Sequence, residues 1–440
     1  MADKEINEPS KWKRVRWIIL SLFFFMMTLN YWDRQNLGLL KEDYLVPLFG
    51  WSELDYANIV IAFQVAYAVG MLGIGYLIDK IGTKLGFAFT LVIWSLASFG
   101  NAMANGLIGF VVARGFLGFS QAGNLPSAVK SIGEWFPNRE RALAAGVLSS
   151  GANLGAIIAP IVVPLIAISF GWRWAFVIPG VICSICIVLW FLFYEKPASH
   201  KRVSNQEYQY IHSDANEAHE RDQVGKRVKW YTLLSYKQTW AFAALKFFTD
   251  PVWWFLMFWL PSFLNKEYGM SQIEITVPLT TVYILSMPGS VAGGWLSGYF
   301  LRKGWPLYKA RRVALLLFAL MMLPMVFAQA VGQMNYWYAI LIIGFATAGH
   351  QAWSATNLTT VSDMFPGKAV GSIVGIGGMI GAVGGVILSR TAGVILEYYS
   401  QLNQIQTGYY ILFIICALSY VVSWLLFSLL VPKMDRVSFS

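Results

Sequence analysis

The chain has 440 residues, of which 57% are hydrophobic and only 13% charged, and its formal net charge is +10. A soluble domain carries about 25% charged residues, so this composition excludes an ordinary water-soluble enzyme or binding module. No basic fold module accompanies the positive charge, and no nucleic-acid partner is expected.

Apolar runs occur near 15–36, 56–78, 85–103, 106–131, 140–168 and 172–194, then 236–264, 274–300, 309–331, 335–362, 368–396 and 406–431. Each approaches the roughly 20 residues a helix needs to cross a bilayer. The sequence thus predicts an all-α membrane protein with twelve transmembrane helices. Gly and Pro inside these runs do not oppose helix, because neighbouring helices satisfy the freed backbone groups. A polar, highly charged stretch at 195–235 divides the spans into six-helix bundles at 1–194 and 236–440. It reads as a solvated cytoplasmic linker with a short amphipathic helix around Glu207–Ile211.

Basic residues crowd one set of loops: Lys11, Lys13, Arg14 and Arg16, then Lys80 and Lys84, Arg139 and Arg141, Lys201 to Lys229, Arg302 to Arg312, and Lys433 with Arg436. The opposite loops hold little beyond Lys41, Arg173 and Lys266. The positive-inside rule then places both termini in the cytoplasm, which an even number of spans requires. The first apolar run is too long for a cleavable signal peptide and lacks a small-residue cleavage site. Cys183, Cys186 and Cys416 fall within predicted spans. The spacing of "CSIC" is redox-like, but the βαβ context of a thioredoxin motif is missing, so packing is the expected role. His200, His212 and His219 sit in the charged loop without metal-ligand spacing. No nucleophile–base pair, metal constellation or phosphate loop is visible, so neither enzyme chemistry nor a cofactor is expected.

The first span ends in "NYWDRQNL", with Asp33 and Arg34 adjacent. Charges within a span cost about 2.5–3.5 kcal/mol on insertion scales, and usually mark function. Neighbouring residues lie about 100° apart on a helix, so the two cannot share a face. Either they pair structurally with other spans, or Arg34 binds an anion while Asp33 exchanges a proton; the guanidinium fork suits a carboxylate. In the fourth span, "ARGFLGFSQAG" separates Arg114 from Gln121 by two turns, about 10.5 Å along one face. Gly115 and Gly118 permit close helix approach, and Arg114 needs a distant carboxylate or the substrate as partner.

The seventh span, "LKFFTDPVWWFLMFWLP", sets Lys246 and Asp250 four residues apart on one face. They either neutralise each other, or Lys246 meets a substrate carboxylate. Pro251 should break this helix and supply a hinge. Trp254, four residues after Asp250, is the tryptophan that best shares their face. In the tenth span His350, Trp353, Ser354 and Asn357 recur at helical spacing. They serve either as glue between helices or as groups for sugar hydroxyls, with the indole stacking on a sugar face.

Internal symmetry supports two related bundles. "GYLIDKIGTK" from Gly75 resembles "GWLSGYFLRKG" from Gly294, and "EWFPNRERALAAG" around Pro137 resembles "DMFPGKAVGSIVG" around Pro366. Repeats of this kind place a binding site near the midplane between the halves. "GYLIDKIGTK" between the second and third spans also resembles the loop motif of the major facilitator superfamily. Within it, "NYWDRQNL", "VVARGFLGFSQAGNLPSAVKSIGEWFPNRERA" and "GHQAWSATNLTTVSDMFP" resemble the anion:cation symporter family, hexuronate transporters of bacteria foremost and aldonate transporters next.

That resemblance implies the major facilitator fold of two six-helix bundles and a monomeric transporter in the bacterial inner membrane. Its substrate would be a small organic anion and its coupling ion a proton. It assigns Arg34 and Arg114 to substrate or gating, and Asp33 to coupling. It adds Tyr31, Tyr67 and Asn153 to the cavity; Gln64, three residues before Tyr67, can share that wall. Gln121 stands where relatives have a titratable Glu, which leaves coupling to Asp33 alone or to Asp33 with Asp250. Asp79, Lys80 and Lys84 fall in the cytoplasmic gate, and Asp79 should meet a basic group or a helix N-terminus. The second-half copy lacks this acid. Aldonates and other organic anions stay open as substrates, as do a uniporter or channel and a non-transporting sensor as other classes.

Overall fold

The computed structural model describes residues 15–213 and 230–437. Lys11, Lys13, Arg14, His219 and the basic residues from Arg221 to Lys229 lie outside the described residues. Twelve rods follow in order. The first half holds α1 (Val15–Leu40), α2 (Glu53–Ile81), α3 (Thr83–Met103), α4 (Leu107–Gln121, resuming at Asn124–Trp135), α5 (Asn138–Phe170) and α6 (Trp174–Phe193). The second holds α7 (Lys237–Tyr268), α8 (Thr276–Arg302), α9 (Leu307–Met322, with short turns to Gly332), α10 (Tyr336–Met364), α11 (Gly367–Gln401) and α12 (Ile405–Leu430). Among the described residues, nine helices are long and apolar enough to cross a membrane. The outer faces carry large exposed apolar side chains such as Leu96, Ile108, Leu192, Val291 and Leu429. Water would oppose such a surface, and lipid welcomes it.

Local chemistry explains most boundaries. Ser52 starts α2 with a capping box: its hydroxyl accepts from the Asp55 N–H at 3.1 Å, and the Asp55 carboxylate accepts from the Ser52 N–H at 3.1 Å. Such a cap contributes about 1 kcal/mol. The fourth span is interrupted at Ala122–Gly123, because Pro126 has no N–H for the Ala122 carbonyl. The first span overshoots its expected end, passing through a π-helical turn at Lys41–Leu45 to Phe49. The expected break at Pro251 is corrected: α7 runs unbroken through both Pro251 and Pro261. Packing against neighbouring helices holds the turns that proline weakens.

The internal repeat reappears as backbone contact. A Cβ on Gly155 of α5 would lie 2.2 Å from the Thr28 carbonyl oxygen of α1, and one on Gly384 of α11 would lie 2.2 Å from that of Phe247 in α7. Both positions require glycine, and they pair the same two helices in each half. Between the halves, α2 packs on α11, α5 on α8, and α1 on α7. Gly118 also meets a backbone, the Phe63 carbonyl, whereas Gly115 faces open space.

The hydrogen bonds and ion pairs that join the halves gather where α1 ends and α2 begins. Lys41 is fully buried, with Nζ 2.8 Å from Glu42 and 2.7 Å from Glu53. It also donates to the Ser262 hydroxyl of α7 at 3.0 Å, and Lys266 of α7 reaches Glu42 at 2.8 Å. Tyr56 donates to the Phe258 carbonyl at 2.7 Å, and the Glu53 N–H donates to Glu397 at 2.9 Å. This end is closed.

The stretch after α6 is less solvated than its composition suggests. Its helix runs Asn205–Ile211, and Glu207, Tyr210 and Ile211 are buried. Glu207 accepts from the backbone N–H groups of Val15 and Arg16 at 3.1 and 3.2 Å, capping the start of α1 with a carboxylate. Arg16 also donates to Glu140 at 3.2 Å. The three cysteines are buried free thiols, in accord with packing.

Candidate functional site

A cavity of about 420 Å³ lies between the halves, midway along the rods. At the closed end its wall consists of buried groups such as Arg34 and Gln121; toward the other end the lining residues Leu125, Ser149 and Leu358 are exposed. The cavity therefore opens on the side where α1 begins. Ten of the residues expected from the sequence line it: Tyr31, Arg34, Tyr67, Gln121, Asn153, Lys246, Asp250, Trp254, His350 and Ser354.

Arg34 dominates the first-half wall. Its Nε donates to Gln121 Oε1 at 3.3 Å, and Nη2 donates to Asn30 Oδ1 at 3.0 Å. Four aromatic rings surround the guanidinium carbon: Tyr31 at 5.0 Å, Trp254 at 5.0 Å, Tyr67 at 5.2 Å and Phe63 at 5.4 Å. No carboxylate lies within ion-pair distance of it among the described residues. Aromatic faces and neutral amides hold the cation in place without cancelling its charge. The site can thus receive an anion.

The second-half wall is built from α7 and α10. Lys246 Nζ stands 3.2 Å from Asp250 Oδ1, so the pairing reading of these two residues is the one observed. The imidazole of His350 stacks on Trp253, with centroids 5.1 Å apart and an interplanar angle of 7°, and its Nδ1 shares a hydrogen bond with the Tyr420 hydroxyl. Flat aromatic surface beside Ser290, Gln351 and Ser354 offers both stacking and hydrogen bonding to a polyhydroxylated solute.

Several expected residues lie elsewhere. Asp33 faces away from the cavity, fully buried, and accepts from Ser98 at 2.7 Å, Trp94 at 2.8 Å and Asn36 at 3.2 Å. The 100° between neighbours sends Asp33 to α3 and Arg34 to the cavity. Arg114, expected in the substrate site, is buried behind α1 instead. It donates to the Arg34 carbonyl at 3.4 Å and sits over the Phe176 ring, with Nε and Nη2 unpaired. Gln64 is likewise no wall residue; its Oε1 accepts from Ser389 of α11 at 3.0 Å, bridging the halves. Trp353 packs on Tyr420 inside the second half, and Asn357 is buried with both amide atoms unpaired. The stripe on α10 is rotated from the expected one: His350, Gln351, Ser354 and Leu358 face the cavity.

Asp79, Lys80 and Lys84, the residues expected at a gate, are at the open end. Asp79 pairs with Lys130 at 2.8 Å, the basic group anticipated for it, while Lys84 pairs with Glu195 at 3.4 Å and Lys80 is exposed. In the second half Asp363 supplies an acid from α10, accepting from Arg311 Nε at 2.8 Å. Sequence reasoning missed Asn30, Asn124, Trp253, Ser290 and Gln351 of the wall. Gln351 could have been found beside His350; Ser290 and Asn124 carry no signal beyond polarity in an apolar stretch.

Comparison with known proteins adds the following. The sequence model of the Major Facilitator Superfamily matches residues 23–389. The chain is 29% identical over 389 residues to the hexuronate transporter of Escherichia coli (strain K12), covering 88% of this chain and 89% of that one. It is 30% identical over 290 residues to the galacturonate transporter of Dickeya chrysanthemi, covering 66% of this chain and 84% of that one. Its fold is similar to that of a bacterial homologue of the human lysosomal transporter Spinster, solved in an inward-facing, unoccupied conformation. The TM-score is 0.75 at 17% identity, over 97% of this chain and 100% of that one.

Proposed function

We propose, for a chain that belongs to the Major Facilitator Superfamily, the import of an acidic monosaccharide, a hexuronate such as glucuronate or galacturonate, by proton symport. One observation carries this reading: Arg34 lines the central cavity within an aromatic cage and has no carboxylate partner among the described residues. A carboxylate is the group that such a guanidinium lacks. The aromatic and amide walls suit the ring and hydroxyls of a sugar. The names of the relatives agree with this substrate class, while aldonates present the same carboxylate and hydroxyls.

In the proposed cycle the bundles 1–194 and 236–440 rock about the cavity, with 195–235 joining them. Both termini face the cytoplasm, so the conformation described above is inward-facing, in a monomer of the bacterial plasma membrane. Asp33 carries the proton. It sits on the same turn as Arg34, so its protonation can be felt at the site through α1 and through Arg114. Asp250 remains paired with Lys246. Arg114 positions α1, and Gln64 with Asp79, Lys80 and Lys84 belongs to the gates that alternate access. The substrate leaves chemically unchanged.

The test is uptake into proteoliposomes. Asp33→Asn should abolish concentrative uptake of labelled glucuronate while retaining exchange across equal concentrations. Undiminished accumulation without a proton gradient would reject symport, and a uniporter would be indifferent to the substitution. Neutral hexoses competing as well as uronates would sink the substrate class.

A further inference from the structure

Among the described residues, the charged side chains of the cavity wall are Arg34, Lys246 and Asp250. Lys246 and Asp250 stand 3.2 Å apart and cancel. Arg34 is left with amides and aromatic rings. The wall therefore carries one uncompensated positive charge. The other titratable groups around the pair are the Tyr31 and Tyr420 hydroxyls and His350, whose Nδ1 is engaged by Tyr420 and which touches no carboxylate. Tyr31 holds its ring 5.0 Å from the Arg34 guanidinium carbon and lines the same cavity as Asp250.

Asp250 occupies a built seat. A Cβ on Gly381 of α11 would come within 2.7 Å of Asp250 Oδ2 and 3.2 Å of its Cβ. Glycine at that position makes room for the carboxylate, which is thereby held beside Lys246 and at the edge of the cavity.

We propose that Asp250 is a specificity-determining residue that restricts the substrate to a single carboxylate. This rests on the sugar-acid reading above. With Lys246 neutralised, one carboxylate on Arg34 balances the cavity. A sugar acid bearing a carboxylate at both ends brings its second negative charge toward the Asp250 wall, where no free cation receives it. Juxtaposing like charges in a sequestered site costs enough to discriminate strongly between such ligands. Asp250→Asn raises the count by one, releases Lys246, and makes a second anion site across the cavity from the first.

The experiment is titration of the purified full-length protein with galacturonate and galactarate, followed by quenching of tryptophan fluorescence. The wild type should prefer galacturonate. Asp250→Asn should shift the ratio of dissociation constants toward galactarate by roughly tenfold or more. Removing both charges in Lys246→Gln/Asp250→Asn restores the count and should restore the preference. Gln351→Lys adds a cation to the wall while leaving the pair intact, and should shift the ratio in the same direction as Asp250→Asn. An unchanged ratio in Asp250→Asn or in Gln351→Lys, or a galactarate preference in the double variant, overturns the proposal. If the wild type binds neither sugar acid, the sugar-acid reading falls. The same variants titrated with butyrate and succinate then still decide the charge rule.

Discussion

In the ion pairs of the closed end Lys41 and Lys266 meet Glu42 and Glu53, two cations for two anions, with Glu397 held apart on a backbone N–H, whereas the cavity sets Arg34 and Lys246 against Asp250 alone. Both clusters lie between the halves, and both draw on the same residue types. The difference lies in the count and in the surroundings. The closed-end cluster is balanced, and hydroxyls from Ser262 and Tyr409 extend it across the seam between the halves. It has no charge left for a ligand. The cavity cluster is short by one anion, and its spare cation is held by groups that cannot neutralise it. A latch and a binding site thus differ by a single carboxylate.

Breaking the balance at the closed end should have the largest effect. Lys41→Met strands Glu53 in a buried setting and leaves Glu42 to Lys266 alone, and removal of one partner from such a cluster costs about 3–5 kcal/mol. The unfolding midpoint in detergent should fall sharply. Adding Glu53→Gln to the same chain should recover most of the loss, since Lys266 still pairs with Glu42; no recovery would mean that shape, not charge, makes the latch.

Removing the spare cation comes next. Arg34→Ala should weaken hexuronate binding by roughly a hundredfold, within the range for truncating one side of a buried charge pair. Because Arg34 has no carboxylate partner, its loss strands no opposite charge, and thermal stability should change far less than with Lys41→Met. Fluorescence titration and a melting curve on one sample check both halves of this statement.

Supplying the missing anion sharpens the contrast further. Gln121→Glu places a carboxylate where the amide oxygen now lies 3.3 Å from Arg34 Nε. The ionised form competes with the substrate and should weaken binding about tenfold at alkaline pH. As the pH falls the new carboxylate takes up a proton, the competition ends, and affinity recovers. The variant should gain a steep acid dependence of binding; equal affinity at both ends of the pH range would show that Gln121 does not set the charge at Arg34.

The smallest effect belongs to a pair that water already screens. Asp79 is largely exposed, and Asp79→Asn should alter stability by about 0–1 kcal/mol, measured by thermal unfolding. Any larger effect on uptake than on stability would assign the Asp79–Lys130 contact to the conformational cycle.

The rods were legible because bilayer thickness imposes one length on every span, and apolar runs of that length are hard to mistake. What escaped was rotation. Arg34 and Arg114 look alike in sequence, each an arginine in an apolar span with a glutamine or glycine nearby. Only the packing of α1 on α4 puts the first in the cavity and the second behind it. The α10 stripe shows the same limit. The spacing of His350, Trp353, Ser354 and Asn357 identified one side of a helix, yet the wall uses the strip through Gln351, and Trp353 with Asn357 turns inward. Pro251 misled for a different reason: neighbouring helices hold the turn that an isolated helix would lose.

The odd charge in the cavity has an electrical corollary. In the proposed symport the empty carrier holds Arg34 positive and Asp33 ionised, and the loaded one holds a monoanion on Arg34 and a proton on Asp33, so both halves of the cycle move the same charge. Asp33→Asn fixes that second site as neutral, leaves the empty carrier one charge more positive than the loaded one, and exposes its return to the membrane voltage, with a scale of about 2.3 kcal/mol per elementary charge per 100 mV. In that variant, and in the proposed orientation, an inside-negative potential favours the vacant protein with its cavity open to the cytoplasm.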